Sequence, residues 1–170
     1  MVAQDKNETI VQTVSRLMRD RKKTLSTAES CTGGYIAHLI TAETDASTFY
    51  KGTIVSYANE IKQEVLHVSP ATLQVEGAVS EATVRQMVSG VIDLMKTDYA
   101  IAVSGIMGPG GGSEAKPVGT VWIAAGGKND IRAWKFHFHS DRIGNIEMTA
   151  DAALEMMRTY IAERDAAMKE

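Results

Sequence analysis

Thr27-Ala28-Glu29-Ser30-Cys31-Thr32-Gly33-Gly34 places a carboxylate, a hydroxyl and a thiol where a strand hands over to a helix. Residues 24–27 alternate like a strand, and Tyr35, Ile36, Leu39 and Ile40 recur at helical spacing. Ser30, Cys31 or Thr32 therefore falls at or beside a helix N-terminus, where unpaired backbone N–H groups and the positive dipole end stabilise anions, oxyanions and phosphates. Gly33 and Gly34 let another molecule approach the backbone closely. Taken alone, the same residues also fit a simple helix cap followed by a turn.

Outward from that turn, helices and strands alternate without a linker, which predicts one α/β domain over residues 1–170 with a flexible N-terminus over about residues 1–8. Ile10, Val11, Val14, Leu17 and Met18 mark a first helix, closed by a basic run over residues 19–23. A helix over 33–41 leads through a polar turn to an extended run over 49–57. Asn59 is placed to cap a short helix reaching about residue 67, and Ser80 with Glu81 to open a longer one carrying Val84, Met87, Val88, Val91, Ile92 and Met95 on one face. Residues 99–103 are continuously apolar, as in a strand covered on both faces. Strands are expected over 118–125 and 131–139, and then a final helix over 142–164 with Met148, Ala152, Leu154, Met157 and Ile161 inward.

Composition narrows the function without naming it. Hydrophobic residues make up 44% of the chain and charged residues 23%, as in ordinary globular proteins. A net charge of −3 gives no general attraction to nucleic acid or anionic membrane, so any phosphate must be held by a local cluster of cations and amides. The lone Cys31 excludes an intrachain disulfide and a Cys-rich zinc site, which suits a reducing cytoplasm. The first residues are too polar for a signal peptide, and no apolar run approaches membrane-spanning length.

Two further stretches carry chemistry. Residues 104–119, Ser104-Gly105-Ile106-Met107-Gly108-Pro109-Gly110-Gly111-Gly112-Ser113-Glu114-Ala115-Lys116-Pro117-Val118-Gly119, follow an apolar strand and lead into another, so they match neither a dinucleotide fingerprint nor a Walker loop. A glycine-rich loop at the carboxyl end of a strand still exposes backbone N–H groups as an anion nest in the ligand crevice of an open sheet. In Tyr57-Ala58-Asn59-Glu60-Ile61-Lys62, a cap at Asn59 would set Lys62 in the first helical turn, where the dipole lowers an ammonium pKa and prepares a general base. His137 and His139 alternate on a strand without an obvious third ligand, so a solvated face is the expected reading and no metal is expected.

Together T-A-E-S-C-T-G-G, Y-A-N-E-I-K, G-A-V-S-E at 77–81 and S-G-I-M-G-P-G-G-G-S-E-A-K-P-V-G-T-V resemble, in order and spacing over about residues 8–160, the C-terminal domain family of the competence-damage protein CinA. The resemblance implies a three-layer α/β/α sandwich with a mixed β-sheet, in the form that stands without the N-terminal pyrophosphatase-type domain of larger CinA proteins. For active members it implies hydrolysis of the carboxamide of nicotinamide mononucleotide to nicotinic acid mononucleotide and ammonia. The family serine maps to Ser30, and the Tyr and Lys of its Y-S-N-x-x-K motif map to Tyr57 and Lys62, with Ala58 in place of Ser.

In the expected mechanism Lys62 deprotonates Ser30, Tyr57 relays or orients the proton, and an acyl-enzyme forms. Amides at the Thr32, Gly33 and Gly34 turn are the candidate oxyanion donors, and Cys31 beside them is expected to contact the substrate. Ser104, Gly105, Gly108, Gly110, Gly111 and Arg142 are expected to hold the nucleotide, with its 5′-phosphate at the loop and Arg142. The implied partner is a small-molecule pyridine nucleotide with no cofactor, and self-association stays open. Where the family reads G-D-R-x-x-I-R, residues 140–146 read Ser140-Asp141-Arg142-Ile143-Gly144-Asn145-Ile146, so an expected cation is Ile146; Met107 replaces an Ala. Those departures keep a non-catalytic nucleotide- or protein-binding module as the alternative, and a Cys31-dependent hydrolase as a third reading.

Overall fold

The computed structural model describes residues 7–168. Thr9 and Gln12 form a reciprocal capping box that starts α1 (Ile10–Asp20). Residues 1–6 of the expected flexible N-terminus lie outside the described residues, whereas Glu8 is held by Arg16 at 2.9 Å and by the Thr13 hydroxyl at 3.0 Å. β1 (Leu25–Glu29) is buried at every position, as expected of a strand covered on both faces. It leads into α2 (Tyr35–Thr41), a 3₁₀ turn (Ala46–Thr48) and β2 (Tyr50–Val55). Two short helices follow, α3 (Asn59–Glu64) and α4 (Pro70–Val75). The Ser80 hydroxyl accepts from the Thr83 amide at 3.3 Å and opens α5 (Glu81–Met95). β3 (Tyr99–Gly105), β4 (Thr120–Gly127), β5 (Asp130–His137) and α6 (Arg142–Ala167) complete the order, and the Asp141 carboxylate caps α6 through Gly144 N at 2.7 Å.

The strands form one mixed sheet in the order β2-β1-β3-β4-β5, parallel through β2, β1 and β3 and antiparallel for β4 and β5. Successive strand residues alternate between two cores. Ile101, Val103 and Ile123 face α1, α2 and α6, with Leu154, Met157 and Tyr160 packed over them. Ala100, Ala102 and Ala124 face α5, where Val84, Met87, Val88 and Val91 close the other layer. Each fully buried Val, Leu, Ile or Met contributes about 1.5–3 kcal/mol. A Cβ at Gly90 of α5 would stand 2.0 Å from the Leu66 carbonyl, so only glycine lets α5 approach the segment after α3. The architecture is the expected three-layer α/β/α sandwich with a mixed sheet.

Boundaries and one face differ from expectation. The cap of α3 is Ala58 without a side-chain bond, and Asn59 is already helical. The run after β2 leaves the sheet at Ser56, and β5 ends at His137, so His139 is outside the strand. Met148 is 44% exposed, not inward. The stripe traced back from Ile161 through Met157, Leu154 and Ala150 arrives at Ile146, which packs against the core, and Met148 lies off it. Among the described residues, no helix is long and apolar enough to cross a membrane.

Register positions the site. Glu29 pairs with Val55 on one side and Val103 on the other, so the next residues, Ser30, Ser56 and Ser104, stand in a row at the carboxyl edge of the parallel strands. In an open α/β sheet that edge is where ligands bind.

Candidate active site

Ser30 leaves β1 with its amide bonded to Val103 O at 3.2 Å and its carbonyl accepting from Gly33 N at 3.2 Å. Both backbone groups are thus committed, which fixes the hydroxyl at the sheet edge. Lys62 comes from the neighbouring crossover and is 1% exposed. Its Nζ lies 3.0 Å from Ser30 Oγ, and it donates to the carbonyls of Ser56 at 2.6 Å and Tyr57 at 3.3 Å. Burial pushes its pKa below the ordinary lysine value of 10.5. In the neutral amine, two N–H groups serve the two carbonyls and the lone pair faces the Ser30 hydroxyl. The cause differs from the expected helix dipole, because six-residue α3 sets Lys62 within a turn of both helix ends.

Tyr57 meets Lys62 through its carbonyl, while its ring is 65% exposed. The phenol oxygen accepts from Arg142 Nη2 at 3.3 Å and bonds neither Ser30 nor Lys62, so the expected proton relay through it has no path in this arrangement. Arg142 begins α6 and gives Nη1 to the Gly108 carbonyl at 2.7 Å, pinning the glycine-rich loop. Gly108 has φ +84°, and a Cβ there would stand 2.5 Å from Val118 Cγ1.

A pocket of about 280 Å³ collects Ser30, Cys31, Tyr57, Lys62, Ser104, Gly105, Gly108, Gly110, Gly111 and Arg142, and adds Asn59, Ala78, Val79, Ile106 and Met107. Thr32, Gly33 and Gly34 do not line it. The Thr32 hydroxyl instead donates to Glu29 at 2.7 Å, and the first free amides of α2, those of Ile36 and Ala37, donate to the same carboxylate at 2.9 and 3.0 Å. The helix end expected to receive an oxyanion is filled by a side chain of the protein. Gly33 (φ +60°) and Gly34 (φ +101°) make the turn by conformation.

Cys31 is buried, and its thiol is pushed up to about 12, first by burial and further by the charge of Glu29. A thiol raised in this way is a poor nucleophile near neutral pH, which counts against the Cys31-dependent reading. His137 Nε2 sits 3.0 Å from the Val118 carbonyl, and among the described residues no three potential ligands group together.

The sequence offered little sign of Glu29's part or of Asn145. Fully buried in α6, Asn145 donates to Met107 O at 3.0 Å and accepts from Ser140 N at 3.0 Å, tying the glycine-rich loop to the helix that carries Arg142. An Asn inside a helix is a weak helix former, and that was its only signal.

A three-layer α/β/α domain with a buried serine–lysine pair at the carboxyl edge of its parallel strands is the class defined here. Residues 7–161 match the profile of the CinA C-terminal domain, and the chain belongs to that family. It is 43% identical over 156 residues to a CinA-like protein of Cytophaga hutchinsonii, covering 92% of this chain and 37% of the relative. With a CinA-like protein of Thermotoga maritima the identity is 40% over 159 residues, covering 94% and 39%. The chain thus spans little more than a third of these relatives. The crystal structure of a competence damage-inducible protein A from Klebsiella pneumoniae superposes with a TM-score of 0.87 at 38% identity, covering 90% of this chain and 95% of that one. A competence/damage inducible protein from Agrobacterium tumefaciens superposes with a TM-score of 0.86 at 35% identity, covering 88% and 92%.

Proposed function

We propose that this domain hydrolyses the carboxamide of nicotinamide mononucleotide to nicotinic acid mononucleotide and ammonia. The observation that carries the reading is the 3.0 Å contact between Ser30 Oγ and the buried amine of Lys62, whose pKa is lowered by its surroundings. Neutral Lys62 takes the Oγ proton as Oγ bonds to the carboxamide carbon, giving a tetrahedral oxyanion. The ammonium then returns that proton to the departing nitrogen, and ammonia leaves an acyl-Ser30. Water attacks the ester and gives one proton to Lys62, which passes it to Ser30 Oγ as the acyl–oxygen bond breaks; the acid product loses its remaining proton to solvent and separates as the carboxylate. The Ile36 and Ala37 amides of α2 are occupied by Glu29 and take no part in holding the oxyanion. Arg142 keeps N–H donors beyond those given to Gly108 and Tyr57, and with the glycine amides it is the proposed phosphate site.

Ile146 was the main argument for the non-catalytic alternative. It packs against the core and does not line the pocket, so its side chain is not evidence of a depleted phosphate site. The test is ammonia release from nicotinamide mononucleotide by wild type, Ser30→Ala and Lys62→Met, with circular dichroism as the fold control. Both variants should lose at least about 10²–10⁴-fold in activity. Binding of the nucleotide by wild type without ammonia release would establish the binding module instead.

A further inference from the structure

A second cavity, of about 500 Å³, opens beside the first. Val79 lines both. The antiparallel register pairs Ser104, in the wall of the first pocket, with Trp122, in the wall of the second. Cross-strand partners present side chains on one face with Cβ atoms roughly 4.5–5.5 Å apart, so the two cavities share a floor. The first pocket is small beside the roughly 300–1,000 Å³ of ordinary small-ligand sites, and the second lies within that range.

The lining of the second cavity selects the chemistry of its occupant. Glu76 and Glu81 balance Lys116 and Arg85, and Arg85 is already committed to Glu81 Oε1 at 2.8 Å and to the Ile131 carbonyl. A free anion gains little against two carboxylates. Trp122 offers a partly exposed indole flanked by Val79 and Ala82. An uncharged heteroaromatic ring stacks on such a face, and a ribose diol donates to carboxylates. Lys116 belongs to the same loop as Gly110 and Gly111; its ammonium gives one N–H to the Glu76 carbonyl at 2.7 Å and keeps others for a linking phosphate.

We propose that this cavity is a nucleoside subsite, and that a pyridine dinucleotide binds across both cavities with its second nucleoside on Trp122. The inference rests on the pyridine-nucleotide reading of the Ser30 pocket. Its test measures oxidised nicotinamide adenine dinucleotide and nicotinamide mononucleotide side by side, by isothermal titration and by ammonia release. The dinucleotide should compete with the mononucleotide. Trp122→Ala should weaken dinucleotide binding at least tenfold and leave mononucleotide binding and turnover within twofold. Ala82→Trp, which fills the cavity from α5 and leaves Trp122 in the sequence, should do the same and serves if Trp122→Ala fails to fold. Dinucleotide binding unchanged in a folded variant overturns the proposal, as does parallel loss of both ligands. Absence of mononucleotide turnover with dinucleotide titration still dependent on Trp122 counts against the amidase reading alone.

Discussion

Glu29 immediately precedes Ser30 and Lys62 bonds its hydroxyl, one 0% and the other 1% exposed, yet their surroundings are built differently. Glu29 is enclosed by donors from the protein itself: the Thr32 hydroxyl, the Ile36 and Ala37 amides, and the Thr53 hydroxyl at 3.2 Å. Nothing is left over for a ligand, and the carboxylate serves to begin α2. Lys62 has two carbonyls and, as its third partner, the hydroxyl that faces the pocket. Equal burial therefore makes one group structural and the other reactive, because only Lys62 has a partner that chemistry can change. Cys31 sits in the field of both, and the thiol responds to each: Glu29 raises its pKa and Lys62 opposes the rise.

The largest effect that sharpens this contrast is the pH dependence of Lys62. Only the neutral amine accepts the Ser30 proton, so kcat/KM should rise tenfold per pH unit through an acid limb whose midpoint lies below 10.5. Lys62→Arg, which stays protonated, should lose at least about 10²–10⁴-fold in kcat/KM across that range. The same group tunes stability. Between its lowered pKa and 10.5 the unfolded chain binds a proton that the folded chain lacks, so folding stability should increase with pH in that window. A denaturant titration of Lys62→Met should lose that slope; an unchanged slope would show that Lys62 is not the group responsible.

Glu29→Gln should act on stability first. Its amide turns N–H groups toward donors that need an acceptor, at a cost of about 2 kcal/mol or roughly 4–8 °C in Tm. Activity below the melting transition should stay within a few-fold of wild type. A folded, equally stable variant that has lost turnover would break the comparison and move Glu29 to the reactive side.

The smallest change is expected at Cys31. Cys31→Ala should keep turnover within about twofold, and with its pKa near 12 the native thiol should resist iodoacetamide at pH 8. Rapid labelling of the folded protein would reopen the thiol as a participant.

Local pattern was sufficient for much of this protein. Apolar spacing marked the long helices α1, α5 and α6 and all five strands to within a few residues, because a period of 3.6 or 2 depends on neighbours in the chain. The strand-to-helix turn at Ser30, the lysine five residues beyond Tyr57, and the glycine-rich loop were legible for the same reason, and motif order was enough to join them in one site. Short α4 carries too few periodic positions to stand out. What only the tertiary structure decided are contacts between distant residues. Glu29 reaches over Ser30 to fill the start of α2; Arg142, 85 residues from Tyr57, draws the phenol from the nucleophile; and burial beneath the crossover, more than the helix dipole, lowers the Lys62 pKa. Ile146 and Met148 exchanged places because two residues along a helix rotate a side chain by about 200°, and only the packed partner determines which side is inside. Sequence determined which groups this protein has for chemistry; folding determined which of them remain free to use it, since hydrogen-bond partners and solvent exclusion exist only once distant segments meet.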